Sequence, residues 1–148
     1  MSILIDKPLL FKEALKTGIN LFTGAGFSKL PDPFGSQLPD ASELCEEICD
    51  KFSISKAYSS DLERLSNIVN QRAKQQFQKY LREKYTVNSY NALYNSLNLI
   101  NIYSYITTNI DNVIQCVMDN SDKYHLHDIV LYGAIKKDSA AIPYIPLH

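Results

Sequence analysis

The sequence predicts an α/β fold: a parallel, doubly wound sheet flanked by an inserted helical segment. Three observations carry that expectation. Runs at 19–23, 102–107 and 142–147 are apolar or alternating and have the length of strands. Helical periodicities separate them, and strands alternating with helices pack as parallel sheets. Each run also leads into a chemistry-bearing residue or stretch: Gly24-Ala25-Gly26, Thr108-Asn109-Ile110-Asp111 and His148. In such sheets ligands bind beyond the carboxyl ends of the strands, at the switch in strand order.

Residues 1–18 read as a leading helix, with Leu9, Leu10, Glu13, Ala14 and Lys16 in register and Gly18 as its stop. The first strand, 19–23, runs straight into the glycine turn. Gly24 permits a tight bend, and Gly26, lacking a Cβ, lets a pyrophosphate lie close to backbone N–H groups. Gly24-x-Gly26-x-x-Lys29 lacks the third glycine of the dinucleotide fingerprint, and no Gly-Lys-Ser/Thr follows. By itself this spacing also describes an ordinary turn. The Pro- and Gly-punctuated stretch 29–40 is a long loop, readable equally as a flap over a bound nucleotide or as plain surface.

A helix over 41–53 opens on the capping-box pair Asp40 and Glu43 and buries Leu44, Cys45, Ile48, Cys49 and Phe52. A second box, Ser60 with Glu63, opens a long helix carrying Leu62, Leu65, Val69, Ala73, Phe77, Tyr80 and Leu81 on one face. Its opposite face (Asn70, Gln71, Lys74, Gln75, Gln78) reads as solvated. A third helix is expected over 89–100, with Tyr90, Leu93, Leu97 and Ile100. Ile102, Ser104 and Ile106 alternate with Tyr103, Tyr105 and Thr107 as on a strand. Ile110, Val113, Ile114, Val117 and Met118 form the stripe of a helix packed on a sheet. Residues 119–127 read as a loop, 128–132 as a short strand and 133–141 as a polar connection. Pro143 and Pro146 count against a ladder strand at 142–147. The expected organisation is one domain over 1–148. Residues 1–40 supply the first strand, glycine loop and cofactor loop, 41–100 the helical segment, and 101–148 the return to His148.

Composition narrows the classes of function. The chain has 148 residues, 45% hydrophobic and 21% charged, which suits one globular core. Fifteen basic residues face 16 acidic ones, for a net charge of −1, and no dense Lys/Arg run occurs. That argues against direct nucleic-acid binding through bulk charge and against a polybasic membrane surface. No stretch approaches the ~18 consecutive apolar residues of a membrane span, and the first residues lack the pattern of a signal peptide. Three cysteines, Cys45, Cys49 and Cys116, fit a reducing cytoplasm. Cys45 and Cys49 read as core thiols, His125 and His127 as surface residues, and no metal site is expected.

Asn109 and Asp111 bracket the start of a helix, and N-capping alone would account for either. Two polar side chains around Ile110 also suit a site that grips a carboxamide, which needs a donor and an acceptor together. An alternating Asn-Ile-Asp would place both polar groups on one side and Ile110 on the other.

Gly24-Ala25-Gly26-Phe27-Ser28, Thr107-Thr108-Asn109-Ile110-Asp111 and Leu147-His148 together resemble, in this order, the motifs of the sirtuin superfamily. The resemblance is closer to the sirtuin-like domains of bacterial anti-phage defence proteins than to protein deacetylases. It implies a Rossmann-like fold with NAD in the cleft, used as a substrate and without a metal. It implies that Gly24, Ala25, Gly26, Phe27, Ser28 and Thr108 contact the cofactor and that Asp111 holds its carboxamide. Asn109 would position a water or the ribose, and His148 would act as general base. The implied reaction is hydrolysis of NAD+ to nicotinamide and ADP-ribose, serving anti-phage defence by NAD+ depletion, with a homo-oligomer or a C-terminal sensor region as further partners. The chain departs from the deacetylases at Pro31-Asp32-Pro33-Phe34, where no arginine follows, and it stops at His148, before the strands that grip adenosine. The sequence therefore also reads as the N-terminal portion of a larger domain. Alternatives are a catalytically silent fragment or nucleotide-sensing module and, less well matched, an NAD-dependent protein deacylase. A dehydrogenase would need an acidic residue about 20 positions past the glycines, and Glu43, Glu46 and Glu47 fall on an expected helix instead.

Overall fold

The computed structural model describes residues 4–128 and 140–147. Within them the fold is α/β, with an all-parallel sheet of the partial Rossmann-like kind. Strands β1 (Ile19–Thr23), β2 (Ile102–Thr107), β3 (His125–Asp128) and β4 (Ala141–Pro146) lie in the order β1-β2-β4-β3. The first two strands fall where the sequence places them. The register sets Thr23 opposite Thr107, and Thr107 opposite Pro146, so three carboxyl ends finish level. The main chain carries this alignment past the strands: Thr108 N–H donates to Thr23 O over 3.2 Å, and Leu147 N–H to Thr107 O over 2.8 Å. Among the described strands the order proceeds from β1 to β2 and from β2 to β3 in the same direction across the sheet, and reverses between β3 and β4. The candidate residues at β1 and β2 thus obey the carboxyl-end rule without sitting at a reversal of strand order.

Helix α1 (Pro8–Thr17) ends at Gly18, whose φ of 134° no side-chain-bearing residue adopts comfortably. A Cβ there would also run into the ring of Tyr103. Helix α2 (Ala41–Lys51) opens on a complete capping box. Asp40 Oδ1 accepts from the N–H groups of Ser42 and Glu43, both at 2.9 Å, and Glu43 Oε2 accepts from Asp40 N–H at 2.7 Å. Helix α3 (Leu62–Tyr85) bends at Ala73, which leaves helical geometry with φ −150° and ψ 46°.

Four local expectations change. The cap of α3 is Asp61, whose carboxylate accepts from Arg64 N–H, because a carboxylate one position later reaches the third N–H better than the Ser60 hydroxyl. The segment Ala92–Leu99 winds as a 3-10 helix capped by Asn91, and it buries Tyr94 while Leu93 is exposed. Three residues per turn shift the buried face away from the α-helical stripe. Helix α4 (Val113–Asp119) starts after Ile110, which lies outside its stripe. Residues 125–127, read as loop, belong to β3. Of the strand expected at 128–132, all but the first residue lies outside the described residues, as does His148. β4 forms despite Pro143 and Pro146, sitting between β2 and β3, and Leu147 resumes the ladder after Pro146.

Two cores result. One lies between the sheet and α4 and contains Ile102, Tyr105, Ile114, Val117, Met118 and Ile142. The other lies between α2 and α3 and contains Leu44, Cys45, Ile48, Leu65, Val69 and Phe77. Burying each such aliphatic or aromatic side chain stabilises by ~1.5–3 kcal/mol, so the helical segment holds α3 in place with its own packing. Among the described residues no helix is long and apolar enough to cross a membrane.

Candidate functional site

The end of β1 is built by an aromatic anchor. After Gly24 the chain winds as a 3-10 helix, Ala25–Lys29, closed by Phe27 N–H donating to Gly24 O over 2.8 Å. The Phe27 ring packs 5.0 Å from that of Tyr94 and 6.1 Å from that of Tyr105, and the Tyr94 hydroxyl donates to the Phe27 carbonyl. Phe27 therefore faces the core, and fixing it turns the next residue, Ser28, inward, where it is buried. Gly24 has extended backbone (φ −129°, ψ −173°) open to any residue, so the bend does not depend on glycine flexibility there. A Cβ there would come into ordinary contact with the Thr108 hydroxyl, while one at Gly26 would meet no atom of the described residues. Bare backbone at Gly26 thus faces open space, the condition for close approach by a ligand phosphate.

The end of β2 is built on a buried hydroxyl cluster. Thr23 Oγ1 lies 2.6 Å from the Tyr105 hydroxyl and donates to Thr107 Oγ1 over 3.1 Å. Thr107 Oγ1 in turn accepts from Asn109 N–H at 2.9 Å. Burial pushes the Tyr105 hydroxyl well above the usual phenol range, so it stays protonated. The chain then alternates as the Asn-Ile-Asp pattern suggested: Asn109 and Asp111 are 7% and 9% exposed, and Ile110 is 48% exposed. The Asn109 amide donates to Ser28 Oγ over 2.9 Å, joining the two strand ends side chain to side chain. Its Oδ1 is buried and has no hydrogen-bond partner among the described residues. An unpaired buried acceptor costs ~1–3 kcal/mol, a debt that sites carry where a ligand completes the bonding. Asp111 Oδ1 accepts from Val113 N–H at 3.0 Å, so the capping reading holds for Asp111 in part. Asn109 caps nothing.

These residues share a hollow of about 210 Å³, to which Ala25, Ser28, Thr108, Asn109 and Asp111 all contribute. Gly24, Gly26 and Phe27 do not line it. His148 lies outside the described residues. The hollow is smaller than the ~300–1,000 Å³ of a site for a drug-sized ligand, and takes one ring of a substrate rather than a whole dinucleotide. A second cavity of about 300 Å³ adjoins it, sharing Ser28 and Leu38.

The loop at 30–40 runs between the two. Lys29 Nζ donates to Leu38 O at 3.0 Å and to Glu43 Oε2 at 3.1 Å, clasping the far end of the loop to α2. At the near end Asp32 accepts from Phe34 and Ser36 N–H and from the Ser89 hydroxyl, and Asn91 Nδ2 donates to Pro31 O. The hydrogen bond from Ser36 N–H heads the causes that hold the Asp32 carboxyl below its usual range. The loop is thus a strap pinned at both ends, and it contributes lining to both cavities.

Sequence reasoning missed the other wall. Leu44, Leu62 and Tyr85 close the hollow from α2 and α3, with Pro39 from the strap. Leu44 and Leu62 read as helix-core residues, and nothing in the sequence distinguishes a core leucine from one at a cavity wall. Tyr85 is the last residue of α3, and only the hydrogen bonds that follow it bring it to the site. Asn112 N–H donates to Tyr85 O at 3.3 Å, Val87 N–H donates to Asn112 Oδ1 at 2.7 Å, and Asn112 Nδ2 donates to Val87 O at 3.1 Å.

Among the described residues no group of His, Cys, Asp or Glu side chains is placed to hold a metal ion. Cys45 and Cys49 are buried in the helical core, and Cys116 is half-buried. The hollow brings amide, hydroxyl and carboxylate groups together on one rim of the sheet, facing an apolar and aromatic wall. Compared with known proteins, the chain matches no protein-family model and no curated protein.

Proposed function

We propose that this chain carries a sirtuin-like NAD+-cleaving site, which hydrolyses NAD+ to nicotinamide and ADP-ribose and serves anti-phage defence by NAD+ depletion. The observation that carries the reading is the Asn109–Ser28 hydrogen bond across the hollow, which unites the glycine-loop motif with the Thr-Thr-Asn-Ile-Asp motif. The motif order, the bare backbone at Gly26 and the buried Asn109 Oδ1, without a partner among the described residues, support it.

In this reading the diphosphate lies along Gly24–Ser28, and Asp111 holds the carboxamide of the nicotinamide. The carbon–nitrogen bond between ribose and nicotinamide breaks, and its electron pair leaves with the neutral nicotinamide. Water adds its oxygen to the ribose carbon and loses one proton, so NAD+ and water give nicotinamide, ADP-ribose and H+. Asn109 fixes the attacking oxygen, a positioning effect. His148 takes the proton.

The test is nicotinamide release from NAD+ by the chain and by any longer natural form that contains it. Release that Asn109→Ala and His148→Ala each abolish, with circular dichroism unchanged, is the expected result. Undiminished turnover in both variants overturns the role assignments. NAD+ binding without release by the unmodified protein favours nucleotide sensing, and acceleration by an acetyl-lysine peptide favours deacylation.

A further inference from the structure

We propose that Tyr85 is a specificity-determining residue of this site: its ring, carried in at the end of α3, is the wall that selects the cationic nicotinamide ring of the oxidised dinucleotide over the neutral reduced one. The inference rests on the NAD+-cleavage reading and goes beyond it, because it assigns the discrimination to the helical segment rather than to the sheet.

The hollow has two unlike sides. Ser28, Asn109 and Asp111 present polar groups from the strand ends, beside Ala25 and Ile110, and Leu44, Leu62 and Tyr85 present an apolar and aromatic surface from the helices. With a volume of about 210 Å³ it suits a single flat ring gripped at its polar substituent by one side and covered by the other. A pyridinium ring is flat and cationic. An aromatic face attracts a cation through its quadrupole, and a nearby carboxylate adds to that attraction. Reduction of the ring removes the positive charge and with it both contributions.

The wall is held at a fixed place. The backbone of 85–87 is stitched by three hydrogen bonds to Asn112, the residue directly after Asp111. The aromatic side and the carboxylate side of the hollow are thereby set by one short connection. Burial above all, followed by the charges of Glu47 and Asp111, pushes the Tyr85 hydroxyl up to about 12. The residue keeps a neutral phenol at every pH at which a protein of this kind works, so its ring face stays the same throughout.

The experiment is calorimetric binding of NAD+, NADH and ADP-ribose to the unmodified protein and to Tyr85→Phe, Tyr85→Leu and Tyr85→Ala. The unmodified protein should bind NAD+ more tightly than NADH. Tyr85→Phe should retain that preference. Tyr85→Leu, which keeps bulk without the π face, and Tyr85→Ala should weaken NAD+ by about ten-fold and leave ADP-ribose, which has no nicotinamide, unchanged. Asn112→Ala should weaken NAD+ in the same sense by loosening the wall. Equal affinities for NAD+ in Tyr85→Leu and the unmodified protein, or a parallel loss of ADP-ribose, overturn the role of Tyr85 while leaving the NAD+ reading standing. An unmodified protein that binds neither NAD+ nor ADP-ribose overturns both.

Discussion

The side-chain amide of Asn109 donates to the hydroxyl of Ser28 over 2.9 Å, although the two residues are 81 positions apart in the chain. Both are buried. The pairing exists because β1 and β2 are neighbours in parallel, with Thr23 level with Thr107, so that the residues following each strand emerge side by side. Removing one partner of a buried pair leaves the other unsatisfied, at a cost of ~1–3 kcal/mol. Ser28→Ala should therefore lower the thermal midpoint and, by freeing the Asn109 side chain, reduce nicotinamide release by up to about 10²-fold. Thermal denaturation and a release assay on the same preparation check both effects.

Thr107 is the hub behind that pair. Its hydroxyl accepts from Thr23 and from Asn109 N–H and lies within 3.4 Å of Thr23 O. Thr107→Val keeps the shape of the side chain but leaves the buried Asn109 N–H without an acceptor. The expected loss is ~1–3 kcal/mol of stability by chemical denaturation. An unchanged denaturation midpoint would show that the hydroxyl cluster does not hold Asn109.

Gly18 lies at φ 134° and ψ 147°, between α1 and the first strand residue. Gly18→Ala should cost ~1–3 kcal/mol through backbone strain alone. The added methyl would also displace the Tyr103 ring, which is 60% exposed and whose hydroxyl donates to Thr17 O over 2.6 Å, an exposed hydrogen bond that removing the ring gives up as well. The double variant Gly18→Ala/Tyr103→Ala should therefore recover little of the loss. Full recovery would place the cost in the collision instead of the backbone.

Acid should loosen the strap over the cavities. Backbone hydrogen bonds are the foremost cause that lowers the carboxyl pKa values of Asp32, Asp40 and Glu43: from Ser36 to Asp32, from Glu43 to Asp40 and from Asp40 to Glu43. A carboxyl depressed in the folded state contributes stability above its unfolded pKa, and the contribution is lost as pH falls through the folded value. Protection of the strap and its neighbours from hydrogen exchange should thus hold from neutral pH down to about 4, near the unfolded carboxylate values, and fall below that. Asp40→Asn should flatten the fall. A strap equally protected at pH 7 and pH 3 would contradict the arrangement.

The α/β class, the bounds of the first two strands, the Asp40–Glu43 cap and the inward turn of Asn109 and Asp111 around Ile110 are all legible in the amino-acid order. Each depends on interactions within a few residues of chain: period-two alternation, helical periodicity and capping geometry. Where two local solutions lay close in energy, as at the Ser60 or Asp61 cap and the α or 3-10 winding of 92–99, packing made the choice, through the burial of Tyr94 in the second case. Only the tertiary structure decided that Phe27 faces the core, that Ser28 meets Asn109, and that Tyr85 closes the hollow from the far side. Those relationships join residues dozens of positions apart, and they follow from strand order, register and the stitching of 85–87 to Asn112. No periodicity along the chain encodes them, because they arise only when separate elements are brought together.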